Sequence, residues 1–109
     1  MNVMDQIRAE LEAHPIVLFM KGTPQFPMCG FSARTVQALK SCEAPFHHVN
    51  VLEEPEIRAA LPRFSNWPTF PQLFVNGELI GGCDITEELF EQGELQRIVA
   101  DAHRGGGSG

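Results

Sequence analysis

The stretch Lys21-Gly22-Thr23-Pro24-Gln25-Phe26-Pro27-Met28-Cys29-Gly30-Phe31-Ser32 decides how this chain is read. An apolar run, Ile16-Val17-Leu18-Phe19-Met20, precedes it, and a helix-like segment, Ala33 to Ser41, follows. The order is strand, loop, helix, with Cys29 where the helix begins. A thiol there faces unpaired backbone N–H groups and the positive end of the helix dipole, and both favour thiolate. Lys21, at the other end of the loop, adds a full positive charge. Taking a cysteine from its ordinary ~8.5 to about 6 requires roughly 3.4 kcal/mol. A helix terminus supplies ~1 and at best about 2 kcal/mol. The remainder falls to N–H hydrogen bonds and Lys21. The alternative, a small buried hydrophobe, fits poorly with the loop-like context Pro27-Met28-Cys29-Gly30.

Upstream, Asn2 is placed to cap a first helix with Met4, Ile7 and Leu11 on one face, and His14-Pro15 ends it. Ile16–Met20 reads as a strand buried on both faces. Downstream, the helix from Cys29 buries Phe31, Val36 and Leu39 or a close variant, and Ala44-Pro45 breaks it. Phe46 to Val51 is a second strand, parallel to the first because a helix crosses between them. Glu54-Pro55 opens a third helix with Ile57 and Leu61 on one face, and Pro62 marks its end. Asn66-Trp67-Pro68-Thr69-Phe70-Pro71 is an irregular loop. Gln72–Val75 and Glu78–Ile80 flank Asn76-Gly77, a two-residue hairpin signal. Gly81-Gly82-Cys83 is a tight turn. Asp84 with Glu87 three residues later reads as a helix cap, and that helix carries Ile85, Leu89 and Phe90. After Gly93, a last short helix holds Leu95, Ile98 and Val99. The order α-β-α-β-α-β-β-α-α predicts an α/β fold, a mixed four-stranded sheet flanked by helices on both faces. Cys29 then lies at the carboxyl end of the first strand, where open α/β sheets place their ligands.

The chain has 109 residues, read as one domain over residues 1–104 and a flexible Gly/Ser tail over 105–109. Apolar content of 43% and charged content of 20% are those of a soluble globular protein. The longest apolar run is far too short to span a bilayer, and the N-terminus, with Asp5 and Glu10, has no signal-like apolar region. Three cysteines, an odd number, argue for a reducing compartment, here the cytoplasm. The net charge of −6 argues against nucleic acid as a partner.

Cys29-Gly30-Phe31-Ser32 resembles the active-site signature of monothiol glutaredoxins, which have the thioredoxin fold. Met20-Lys21-Gly22-Thr23-Pro24, Asn66 to Leu73, and Gly81-Gly82-Cys83-Asp84 resemble further blocks of that family, in order. The likeness covers roughly residues 3 to 100 and is nearest to the short, single-domain bacterial type. It implies a cis Phe70-Pro71 bond and a glutathione site formed by Lys21, Cys29, Arg58, Phe70, Cys83 and Asp84. Lys21 and Arg58 are cations for the glycine carboxylate. The backbone N–H groups of Cys83 and Asp84 suit the γ-glutamyl carboxylate, and the Asp84 side chain its ammonium. Alternatives stay open for individual residues. Arg58 reads also as a solvated helix charge, Asp84 as a cap and Trp67 as packing beside the site. Cys83 reads also as a distant resolving thiol, and Ser32 as a first-turn hydroxyl bonding the backbone.

Ser32 stands where a dithiol enzyme has its resolving cysteine, so Cys29 must act with an external thiol or as a metal ligand. Two functions follow. In the first, a [2Fe–2S] cluster, which needs four ligands, is held by two Cys29 thiolates and two glutathiones in a bridged homodimer. The resemblance implies that such a protein carries clusters to iron–sulfur apoproteins and serves iron homeostasis, with BolA-type partners. In the second, Cys29 reduces protein–glutathione mixed disulfides. The missing resolving thiol and the long Gly22–Met28 loop argue against efficient turnover in that role. The remaining cysteine and the histidines offer little: Cys42 ends a helix, His47 and His48 face opposite ways on a strand, and His14 and His103 read as surface residues. No Cys-x-x-Cys pair or histidine cluster suggests zinc.

Overall fold

A computed structural model of the chain describes residues 2–104, so the tail expected over 105–109 lies outside them. Helix α1 (Val3–Ala13) begins with the Asn2 side chain accepting the Asp5 N–H at 3.0 Å. Then follow β1 (Ile16–Met20), α2 (Gly30–Ser41), β2 (His47–Asn50), α3 (Pro55–Ser65), β3 (Gln72–Val75), β4 (Glu78–Gly81), α4 (Cys83–Glu91) and α5 (Glu94–Arg104). The strands form one mixed sheet in the order β2-β1-β3-β4. β1 runs parallel to β2, with Val17 opposite His47, and antiparallel to β3, with Leu18 opposite Leu73. Asn76 and Gly77 both have positive φ, as the two-residue hairpin between β3 and β4 requires.

Every residue of β1 is buried, and its alternation assigns the two cores. Ile16, Leu18 and Met20 point into one, with Val36 and Leu39 of α2 and Leu95 and Val99 of α5. Val17 and Phe19 point into the other, with Ile7 and Leu11 of α1 and Ile57 and Leu61 of α3. Phe19 and Phe74 meet edge to face, centroids 5.5 Å apart.

Four local expectations are corrected. Phe31 is not a core residue but 54% exposed; the inward face of α2 is Ser32, Thr35, Val36, Ala38 and Leu39. Pro62 does not end α3, which runs on to Ser65 and stops at Asn66 in the left-handed region. The helix loses one backbone bond at Pro62, but Phe64 packs on the core and the Ser65 hydroxyl donates to the Leu61 carbonyl. Asp84 does not cap α4: Gly82 holds that position, and Asp84 lies in the first turn, still favourably placed toward the dipole. His14 is not a free surface residue; its ring stacks on that of His47 at 3.8 Å. Parallel pairing of β2 beside β1 brings His47 to the end of α1, a proximity that spacing along the chain does not reveal.

The Gly22–Met28 loop is closed on itself. Met28 N–H donates to the Lys21 carbonyl at 2.9 Å, and Thr23 and Phe26 exchange backbone hydrogen bonds. The Gly22 N–H donates to the Asn50 side chain at 2.9 Å, tying the loop to the end of β2. Gly22 has φ +95°, and a Cβ there would lie 2.5 Å from the Phe26 carbonyl oxygen. Gly22→Ala should therefore cost at least ~1–3 kcal/mol, the scale of backbone strain alone, as a lowered urea midpoint. An unchanged midpoint would show that the loop is not held as described.

Candidate functional site

The loop delivers Cys29 to the start of α2, where it is the N-cap residue with extended backbone. The sulfur closes no cap hydrogen bond by geometry, yet the N–H groups of the first turn face it. The thiol's pKa is lowered, most by the backbone N–H of Ser32; partial burial opposes this, while the Phe31 N–H, the Ser32 hydroxyl and the Lys21 charge add to the lowering. The order of causes matters. Local dipoles at the helix start outweigh the full charge on Lys21, the smallest of these contributions.

Ser32 is wholly buried, and its oxygen accepts the Lys21 N–H at 3.1 Å. It fastens the chain before the loop to the chain after it, and its hydroxyl favours the thiolate.

The other two cysteines differ. Burial pushes the Cys83 thiol up, as it does that of Cys42. Cys83 is buried at the first position of α4, its sulfur 3.7 Å from a Glu87 carboxylate oxygen. Cys29 alone has its pKa lowered.

Lys21, Cys29, Arg58, Phe70, Cys83 and Asp84 all line one cleft of about 890 Å³. They come from the end of β1, the start of α2, α3, the loop before β3 and the start of α4. The Phe70-Pro71 peptide is cis, as expected. The cations and Asp84 lie on different elements around an apolar floor that includes Trp67 and Pro71. Trp67 packs over Gly82, where an added Cβ would meet its indole nitrogen at 3.3 Å; that N–H is buried with no partner among the described residues. Trp67 thus both packs on Gly82 and lines the cleft.

Two features carried no sequence signal. Gln72, fully buried, donates its amide to the carbonyls of Trp67 (2.9 Å) and Thr69 (3.2 Å), which holds the loop bearing Phe70. Arg34 of α2 forms a forked pair with Glu87 of α4, with one arm at 3.1 Å, and its guanidinium lies 5.8 Å from the Phe31 ring centroid. The pair bridges the two helices whose first turns border the cleft.

A parallel-antiparallel sheet with an ionisable thiol at the N-terminus of its second helix, opposite a cis-proline loop, defines a thiol protein of the thioredoxin fold. Residues 16–80 match the glutaredoxin family model. Glutaredoxin 4 of Pasteurella multocida (strain Pm70) is 56% identical over 101 residues, 93% of each chain. Glutaredoxin 4 of Escherichia coli (strain K12) is 51% identical over 100 residues, 92% of this chain and 87% of that one. Among solved structures, reduced apo GrxS14 of poplar matches with a TM-score of 0.80 at 50% identity over 93% of each chain. A buckwheat glutaredoxin–glutathione complex matches with a TM-score of 0.82 at 24% identity, over 93% of this chain and 90% of that one, a likeness of fold alone. The chain belongs to the glutaredoxin family, in its monothiol form.

The Cys29 thiolate should be lost as pH falls through its lowered pKa, so its alkylation rate should have a midpoint below that of an ordinary cysteine. Ser32→Ala should raise that midpoint without restoring the ordinary value, because the backbone N–H groups remain. The check is the pH profile of iodoacetamide labelling at Cys29, followed by mass spectrometry. A midpoint unmoved in the variant would remove the hydroxyl from the account.

Proposed function

We propose that the protein carries a [2Fe–2S] cluster as cargo, held between two copies by their Cys29 thiolates and two glutathiones. The observation that carries this is the solitude of the activated thiol. Each chain offers one accessible cysteine favoured as thiolate, while Cys83 and Cys42 have their pKa values raised by burial. A cluster of four thiolate ligands then takes two from outside the protein.

The cleft supports glutathione as their source. Lys21 and Arg58 are cations for its glycine carboxylate, with the extended tripeptide laid along Phe70. The first turn of α4 offers the N–H groups of Cys83 and Asp84 to the γ-glutamyl carboxylate, and the Asp84 side chain pairs with its ammonium. A buckwheat glutaredoxin of the same fold has been solved in complex with glutathione. Phe26, Met28 and Phe31, 77%, 69% and 54% exposed, flank Cys29 in sequence and suit it to docking a second copy or another protein. Iron–sulfur apoproteins in the cytoplasm, and BolA-type proteins, are the partners proposed for that surface.

The lowered pKa of Cys29 also supports a second reading, reduction of protein–glutathione mixed disulfides. Cys29 sulfur attacks the glutathionyl sulfur and the protein thiolate leaves. A second glutathione thiolate then attacks the Cys29–glutathione disulfide, releasing oxidised glutathione and the Cys29 thiolate.

Anaerobic reconstitution with iron, sulfide and glutathione, followed by visible spectroscopy and size exclusion, separates the two. Charge-transfer bands that appear only with glutathione, co-elute with a dimer and vanish in Cys29→Ser are the expected result. A colourless monomer, or a normal cluster on Cys29→Ser, would overturn cluster carriage. The reductase would then stand if glutathionylated substrate is turned over.

A further inference from the structure

Away from the cleft, Glu10 lies in the last turn of α1 and His14 is the extended residue that caps its end. His47 opens β2 beside them. One donor atom from each of the three lies within 4.8 Å of the other two. The His47 Nε2 is 2.6 Å from Glu10 Oε2, and the His14 and His47 rings stack with 9° between their planes. Two stacked imidazoles and a carboxylate thus lie side by side at a helix end and a strand start.

We propose that Glu10, His14 and His47 bind a divalent transition-metal ion. Two imidazoles and one carboxylate are a donor set of zinc and related ions, with positions left open for water. Bonds of ~2.0–2.1 Å in a tetrahedral arrangement put donor atoms about 3.3 Å apart. The three donors lie within 4.8 Å of one another, and the two rings must turn out of their stack for their in-plane lone pairs to face one ion. The Glu10–His47 hydrogen bond must open by roughly 0.7 Å as the metal replaces the proton between them. Side chains that are 33% and 35% exposed have room to do so, and water can complete the shell. Glu53 and Glu54 line the same groove as Glu10 and His47, and the chain's net charge is −6, so the field favours a cation.

The cluster adjoins Ile16, the first residue of β1, whereas Cys29 follows the loop that leaves its last residue, Met20. Metal here does not draw on the thiol or on glutathione, so this proposal stands apart from cluster carriage. The other trio of potential ligands, Cys83, Asp84 and Glu87, belongs to the cleft, and its Glu87 is already held by Arg34.

The test is zinc chloride titrated into the reduced protein without glutathione, followed by long-range 1H–15N spectra of the imidazoles and by calorimetry. The ring nitrogens of His14 and His47 should move at one equivalent, while those of His103 stay. His14→Ala and Glu10→Gln should each weaken zinc binding at least ~10-fold, while iodoacetamide labelling of Cys29 stays at the wild-type rate. His14→Ala is the decisive variant because it leaves the Glu10–His47 hydrogen bond in place, and far-UV circular dichroism checks that it folds. Zinc that binds by calorimetry but leaves the ring nitrogens of His14 and His47 in place, or binds His14→Ala as tightly as wild type, would overturn the proposal. So would ring nitrogens unmoved by excess zinc, leaving the trio as a clamp between α1 and β2.

Discussion

Burial of β1 on both faces is the constraint from which the rest follows. A strand packed between two helical layers leaves a polar side chain without water, and Ile16–Met20 is apolar throughout. Its alternating residues divide the helices: α2 and α5 cover one face, α1 and α3 the other. The first polar residue the chain meets on leaving this strand is Lys21, at the sheet's carboxyl edge. The loop and the start of α2 can only be built there. The position of Cys29 is a consequence of where a fully buried strand must end.

At that edge the chemistry is set by short-range dipoles. The Ser32 and Phe31 N–H groups and the Ser32 hydroxyl act within one turn of the sulfur, and they favour thiolate together with Lys21. The same arrangement leaves the thiol without a nearby protein partner, since the residue that would resolve a disulfide is a serine occupied in holding Lys21. A nucleophile that is activated but unpartnered must take its second sulfur, or its shared metal, from another molecule. Lys21, Arg58 and Asp84 around the cleft give that molecule somewhere to lie.

Much of this was legible in the residues because the signals were local. Proline and glycine punctuation placed the nine elements in order, and Asn76-Gly77 announced its hairpin. The site residues were legible through likeness to a family, and the structure brings all six to one cleft. What escaped were features decided by tertiary contact. Pro62 stayed helical because Phe64, beyond it, had a core to reach. Phe31 turned outward because the inward stripe of α2 fell on Ser32 and Thr35, polar residues that a search for apolar periodicity passes over. Asp84 missed the cap because the helix began at Cys83. Gln72, the Arg34–Glu87 pair and the histidine stack each join segments that only the folded sheet makes neighbours.

The placement of Cys29 also couples its protonation to folding. The groups that lower its pKa exist only while α2 keeps its first turn and the loop keeps its closure; in the unfolded chain the thiol returns to the ordinary cysteine value. The native state therefore binds the proton more weakly than the unfolded state does. This contribution to stability is complete above the unfolded pKa and disappears as pH falls through the native one. Protonating the sulfur and fraying the helix start favour one another. A ligand that engages the thiolate does the opposite, drawing the first turn of α2 tighter as it binds.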